Sequence, residues 1–204
     1  MKSVLLTGFE PFAGASLNPS EQIVNALNAR QIEGVELHTA VLPVVFTESS
    51  ELLRHLIKLH KPDVVICLGQ AEGRREISFE RVAINLDDAR LADNAGRVVL
   101  DQPVVAGGPT AHLTTLPVKE MVAAVRAEGI AAGLSTTAGT FVCNHIFYAM
   151  QNELAETSVV SGFIHVPLMP EQAGEFEGLP TMPLDQQVRA IEVAIRVAAG
   201  LQSA

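Results

Sequence analysis

The chain has only two cysteines in 204 residues, Cys67 and Cys143, and they do not form a C-x-x-C pair. That excludes both a disulfide framework and a structural zinc site. Basic residues are also scarce, 14 Lys and Arg against 23 Asp and Glu, for a net charge of −9. With no Lys/Arg stripe to offset this balance, nucleic acid is excluded as the main partner. No apolar run reaches membrane-spanning length, so no membrane association is expected. The opening Met1-Lys2-Ser3-Val4-Leu5-Leu6 stops at Thr7-Gly8, too short for the hydrophobic region of a secretory signal. A cytoplasmic protein with reduced thiols is the expectation. Nucleotide motifs are missing too. The first turn, Gly8-Phe9-Glu10-Pro11-Phe12, lacks G-x-G-x-x-G and puts two aromatics where a pyrophosphate needs open backbone. There is no P-loop and no G-x-S-x-G. Asp87-Asp88 with Asp93 lacks the fixed spacing of a calcium loop. Neither metal nor cofactor is expected.

What is present reads as a globular α/β chain, 48% hydrophobic and 18% charged. No repeat, low-complexity tract or linker divides it, so a single domain over 1–204 is expected. Val4-Leu5-Leu6 and Val64-Val65-Ile66-Cys67-Leu68 are continuous apolar runs closed by glycine, the pattern of strands buried on both faces. Asn18-Pro19-Ser20-Glu21 opens a helix, with Asn as N-cap and Pro at the first helical position. Val35 to Val41 reads as a second strand. A helix from about Thr47 to His60 carries Leu52, Leu53, Leu56 and Leu59 on one face and stops at Pro62. Ile77 to Asn85 alternates as one strand, placing Glu80 on the face of Val82 and Ile84. Residues 86–117 read as a hairpin-like excursion from the sheet, with β-like patches near Val98 and Val104. Helices over Val118–Glu128 and Ile146–Leu154, a central late strand over Val159–His165, and a last helix through Leu184, Val188, Ile191 and Ile195 complete the chain. Alternating strands and helices with apolar strands predict a mostly parallel twisted sheet covered on both sides.

Ligands of such sheets bind beyond the carboxyl ends of the strands. Phe9, Phe12, Gln70 and His165 stand at those ends, and Cys143 precedes a helix near the same edge. A thiol at a helix start feels unpaired N–H groups that favour thiolate and can hold an oxyanion. The other reading of Cys143 is a small buried hydrophobe. Its base is His145 or His165. His145, two residues away, points elsewhere on a helix, which favours His165. His38, His55, His60 and His112 read as surface residues. Glu80 suits either of two roles, the partner that orients His165 or a structural ion pair with Arg81, Arg90 or Arg74.

These same residues carry a family resemblance. Thr7-Gly8-Phe9-Glu10-Pro11-Phe12, Asn18-Pro19-Ser20, Gly69-Gln70-Ala71, Glu80-Arg81-Val82-Ala83-Ile84-Asn85, Ala138-Gly139-Thr140-Phe141-Val142-Cys143-Asn144-His145 and Phe163-Ile164-His165-Val166-Pro167 occur in one order over nearly the whole chain. The chain resembles pyroglutamyl-peptidase I, the pyrrolidone-carboxylate peptidase family of cysteine peptidases. The resemblance implies a three-layer α/β/α sandwich and a Cys143–His165–Glu80 triad. It implies a pocket of Phe9, Phe12, Gln70, Phe141 and Val142 for the substrate's first residue, with Arg90 beside the catalytic centre. It further implies peptides with N-terminal pyroglutamate as substrates and a homo-oligomer, commonly a tetramer. Two positions depart from the family pattern: Ala13 and Glu72 stand where it has glycine. If the second needs a positive φ, Glu72 carries a strain of about 1 kcal/mol or more. A glutamine-directed cysteine amidohydrolase and a non-cleaving binder of pyroglutamyl ends are the rival readings.

Overall fold

The computed structural model describes residues 1–201, so the last three residues of the expected 1–204 domain lie outside the described residues. A six-stranded sheet forms the middle layer, in the order β2-β1-β3-β8-β4-β7. Its members are β1 (Lys2–Phe9), β2 (Val35–Leu42), β3 (Val64–Gln70), β4 (Ile77–Glu80), β7 (Ala132–Ser135) and β8 (Val160–Val166). β1, β2, β3 and β8 run parallel to one another. β4 is antiparallel to β8 and parallel to β7. The six residues between β3 and β4 are too few for a crossover helix, so the chain returns in the opposite direction.

Helices cover both faces. On one side α1 (Pro19–Asn28), α3 (Val118–Ala127) and α5 (Leu184–Ala198) pack together. Their apolar stripes bury Ile23, Leu27, Met121, Val125, Ile191 and Ile195 against Val4, Leu6, Ile66 and Phe79. On the other side α2 (Phe46–His60) and α4 (Val142–Leu154) cover Leu5, Val65, Cys67 and Phe163 with Leu53, Ile146, Phe147 and Met150. The architecture is the expected three-layer α/β/α sandwich. α1 starts as its sequence predicts, with Asn18 Oδ1 accepting from the Ser20 N–H and proline at the first helical position.

One expected strand is two. The run from Ile77 to Asn85 breaks at Arg81, and β5 (Val82–Ile84) leaves the main sheet to pair antiparallel with β6 (Ala111–Leu113). The Arg81 N–H still donates to Ser135 O of β7, while its carbonyl accepts from Thr114 N–H at the end of the ribbon. The apolar positions change parity at the same point, from Ile77 and Phe79 to Val82 and Ile84, a phase shift that a reading as one strand passes over. The 86–117 excursion is a hairpin closed by β6 and by an isolated bridge between Asp87 and Gln102, whereas neither Val98 nor Val104 lies in a strand. β7, with the sequence Ala-Gly-Leu-Ser, has too little bulk to stand out in the sequence.

Candidate active site

The parallel register of β3 and β8 aligns Cys67 with Phe163 and Gly69 with His165. In-register neighbours project to the same face, here the face covered by α4. A Cβ at Gly69 would lie 2.8 Å from Cys143 Sγ and 2.8 Å from the Phe163 ring. Only glycine leaves room for the sulfur there. The thiol therefore occupies the space above Gly69, on the strand position next to His165.

β4 enters from the other side of β8. Ser78 faces His165 across the antiparallel pair, and Glu80, two residues on, shares its face. Glu80 Oε1 accepts from His165 Nδ1–H at 2.8 Å, with both side chains buried. That bond leaves Nε2 of the neutral ring as an acceptor. His165 hydrogen-bonds Glu80 and not Cys143 in this structure, the loose unliganded geometry common in catalytic sites. Arg74 Nη1 reaches the same Glu80 oxygen at 2.9 Å, and its Nη2 donates to Thr137 O at 3.0 Å. Glu80 Oε2 is buried without a partner. Both roles considered for Glu80 are thus met at one carboxylate oxygen.

α4 begins at Val142, with Phe141 as N-cap and no side-chain cap. The N–H groups of Val142 and Cys143 consequently have no intrahelical acceptor. This helix start does not make the resting sulfur a thiolate. Burial pushes the Cys143 thiol up to about 12, with the Glu80 charge adding to the rise, and Arg74 and the sulfur's own backbone N–H oppose it more weakly. Desolvation of an anion outweighs a helix terminus here. Burial also lowers His165 from its ordinary 6.5, against the pull of Glu80 and with the help of Arg74. The resting pair at neutral pH is a neutral imidazole and a neutral thiol.

Above the thiol is a small, partly open cavity lined by Phe9, Phe12, Asn18, Val44, Gln70, Phe141, Val142 and Cys143. The loop from Phe9 to Phe12 is held by several bonds. Phe9 N–H donates to Ser20 Oγ, and Glu10 Oε1 accepts from the Val44 N–H and Asn94 Nδ2. Asn18 Nδ2 donates to Glu10 O. Phe141 packs against Phe12 with ring centroids 6.1 Å apart and meets Phe46 edge-on at 5.4 Å. Gln70, 8% exposed, accepts from Gln172 Nε2 through Oε1, and its own Nε2 has no partner.

Five pocket residues expected from the sequence, Phe9, Phe12, Gln70, Phe141 and Val142, line the same cavity as Cys143. Arg90 is not brought to it. It is exposed and, among the described residues, in no ion pair, two positions after Asp88, whose N–H donates to Thr140 O. His145 is turned away, with Nδ1 on Asp87 Oδ2 at 2.7 Å and Nε2 on Ser50 Oγ at 3.2 Å. Two of the three acidic residues that lacked calcium-loop spacing are engaged within the fold: Asp87 holds His145, and Asp93 accepts from the Phe46, Ala95 and Arg97 N–H groups. His38, His60 and His112 are half-buried rather than surface residues, and only His55 is exposed. Glu72 is not in the left-handed region. That conformation falls on Gly73, φ 78°, and on Ala13, φ 53°. The expected strain therefore sits at the other departure. Asn18, Val44, Arg74 and Gln172 were not singled out as site residues. Asn18 had only its capping signal, Arg74 appeared only among three possible ion-pair partners of Glu80, and Val44 and Gln172 carried none.

Comparison with known proteins identifies the family. The family model described as pyroglutamyl peptidase matches residues 2–200. A pyrrolidone-carboxylate peptidase of Erwinia tasmaniensis is 48% identical over 202 residues, covering 99% of this chain and 95% of its own. One from Bacillus mycoides is 46% identical over 200 residues, covering 97% and 93%. The crystal structure of Bacillus amyloliquefaciens pyroglutamyl peptidase I superposes with a TM-score of 0.95 at 43% identity, covering 98% of each chain. A mutant pyrrolidone carboxyl peptidase from Pyrococcus furiosus gives 0.93 at 40% identity, over 97% of this chain and 98% of that one. With matches of this extent over nearly its full length, the chain belongs to the pyroglutamyl peptidase family of cysteine peptidases.

Proposed function

We propose that Cys143, His165 and Glu80 carry out the removal of N-terminal pyroglutamyl (5-oxoproline) residues from peptides by this cysteine-type hydrolase. One observation carries the residue assignment: Cys143 Sγ fills the space that Gly69 leaves, beside a His165 whose Nδ1 is committed to Glu80. His165 Nε2 takes the Sγ proton as sulfur attacks the pyroglutamyl carbonyl carbon. Proton transfer concerted with attack suits a thiol held up to about 12. The Val142 and Cys143 N–H groups at the head of α4 face the developing oxyanion. The C–N bond then breaks, and the imidazolium gives its proton to the departing amine. Water, losing a proton to His165, hydrolyses the thioester and releases pyroglutamate. Glu80 holds the tautomer and offsets the imidazolium charge. No step calls on a metal or cofactor. Arg74, through Glu80, takes the place near the centre that the resemblance gave to Arg90.

The cavity suits a small uncharged ring. Phe9, Phe12 and Phe141 enclose it, and Gln70 supplies an unpaired donor. An ordinary N-terminus would bring an ammonium into this lining, which contains no carboxylate. Proline loses the ring carbonyl and gains that charge. Turnover of a chromogenic pyroglutamyl amide, compared with prolyl and glutaminyl amides, tests the reading. Discrimination of at least about 10³-fold is expected from the penalty on unpaired buried groups. Equal kcat/KM for pyroglutamyl and prolyl amides would overturn the pocket. No helix among the described residues is long and apolar enough to cross a membrane. A single-domain cytoplasmic protein that assembles as a homo-oligomer, a tetramer by family resemblance, and binds neither nucleic acid nor membrane completes the proposal. Light scattering of the purified chain reads the assembly.

A further inference from the structure

Gln70 offers the cavity one end of an amide, and which end decides what ring it accepts. A glutamine side chain presents a donor or an acceptor according to how its amide is turned, and that choice follows from its partners. Gln70 has one polar partner, Gln172, fully buried in the short 3-10 turn Pro170–Gln172. Gln172 in turn touches two backbone groups whose polarity cannot change. Met169 N–H can only donate, and it lies 3.0 Å from Gln172 Oε1. Leu17 O can only accept, and it lies 3.2 Å from Gln172 Nε2. The amide of Gln172 is therefore locked, with its second N–H directed to Gln70 Oε1 at 3.0 Å. This locks Gln70 as well. Its oxygen is occupied, and its Nε2 is left buried and unpaired on a residue that lines the cavity.

We infer that Gln172 is a specificity-determining positioning residue, which fixes the Gln70 amide so that Nε2–H meets the ring carbonyl of the pyroglutamyl residue. The inference rests on the reading of the cavity as the pyroglutamyl pocket and deepens it. Two backbone groups set the polarity, Gln172 relays it, and Gln70 displays it. A buried donor left without an acceptor is costly, so a ligand with a carbonyl at this point is favoured over one without. If the Gln70 amide were reversed, its oxygen would face the carbonyl oxygen of the ring, and two acceptors would be buried together. Met169 and Leu17 lie far apart in sequence, one in the loop after β8 and the other in the loop between β1 and α1. The relay thus also ties the Phe9–Phe12 side of the pocket to the loop after β8.

A double-mutant cycle on Gln172→Leu and Gln70→Leu tests the relay, with kcat and KM measured for a pyroglutamyl amide and a prolyl amide. Gln172→Leu should lower kcat/KM for the pyroglutamyl amide about 10- to 100-fold, mainly through KM, the size expected for loss of one buried hydrogen bond. Prolyl turnover, which has no ring carbonyl to lose, should stay as it was. In the Gln70→Leu background the Gln172 change should add nothing, because the two act as a unit. The iodoacetamide rate at Cys143 should not move. If Gln172→Leu fails to fold, Gln172→Glu serves instead. It keeps an acceptor for Met169 N–H but cannot donate to Gln70 when ionised, and it should raise the pyroglutamyl KM at least as far. A pyroglutamyl KM within about twofold of the parent in a folded variant overturns the relay, since the lost bond should exceed that. So do additive losses in the cycle, or equal losses on both amides with slower alkylation. A parent chain that cleaves no pyroglutamyl amide sinks the proposed function instead, a result distinct from all of these.

Discussion

Arg74 and His165 meet the same atom: Arg74 Nη1 and His165 Nδ1 lie 2.9 and 2.8 Å from Glu80 Oε1. Glu80 is fully buried, so its charge is balanced by an arginine that is itself only a quarter exposed. A carboxylate in that position holds the imidazole and is held by the guanidinium. The arginine thereby takes part in setting when His165 can accept a proton. The charged groups acting on the ring are Glu80, which raises its pKa, and Arg74, which lowers it.

Replacing Arg74 by Gln removes a positive charge that lowers His165. The histidine then holds its proton to higher pH and serves as a base only above it. The acid limb of the kcat/KM profile should shift to higher pH, and Arg74→Lys should restore part of the difference. An unchanged profile with a lowered melting temperature would leave Arg74 a purely structural partner.

Glu80→Gln should affect both activity and stability, because the carboxylate serves His165 and Arg74 together. Loss of tautomer control should lower kcat by about 10³- to 10⁴-fold, the scale seen when a triad carboxylate becomes an amide. Loss of the buried partner of Arg74 should lower the melting temperature as well. Measuring both on one preparation separates the roles, and an unaltered kcat in the folded fraction would remove Glu80 from the triad.

Burial pushes both thiols up to about 12, so they differ in access rather than acidity. Cys67 is fully buried against Met150, whereas Cys143 is partly exposed in the cavity wall. Iodoacetamide should label Cys143 first, slowly for a thiol, and activity should fall in step with that labelling. Cys67→Ser should remain active if folded. Equal labelling of the two in native protein would contradict this arrangement.

Those raised values also set a direction for stability. The unfolded thiols ionise near 9, but the folded ones keep their protons to about 12. Between these limits the folded state binds more protons, and stability falls as pH rises. Each thiol contributes a slope of about 1.4 kcal/mol per pH unit. Urea midpoints from pH 8 to 11 should therefore decline less steeply in Cys67→Ala than in the parent. Parallel declines would count against the burial of that charge-averse site.

Ala13 occupies the left-handed region at φ 53°, next to Gly14 at φ 82°. A Cβ there costs about 1 kcal/mol, partly offset by the entropy a glycine adds to the unfolded chain. Ala13→Gly should raise the melting temperature slightly and leave the triad unaffected. A drop in melting temperature would mean that the Ala13 methyl has a packing role in the Phe12 loop.

Much of this protein was determined locally, by residues that act within a few positions of one another. The apolar runs of β1 and β3, the Asn18 cap and the stripe of α5 follow from neighbours in the chain, and the structure retains each of them. Of the expected α2 stripe it buries Leu53, partly covers Leu52 and Leu56 and leaves Leu59 exposed, because Leu59 lies off the face that packs on the sheet. The motifs around Glu80, Cys143 and His165 were also legible, because the chemistry needs those residue types at strand ends and a helix start. Tertiary structure decided the rest. The break at Arg81 is a change of hydrogen-bonding partner, marked in the sequence only by a shift in the parity of the apolar positions. The state of Cys143 was set by burial, which depends on what packs over the sulfur and outweighed the helix terminus. Arg74 came to Glu80, and Gln172 to Gln70, across 6 and 102 positions of sequence. Neither had a spacing to mark it, since the path of the loops after β3 and β8 brings these side chains to their partners. Sequence determined which groups could do the chemistry, and packing decided their protonation, their orientation and which amide end the cavity presents.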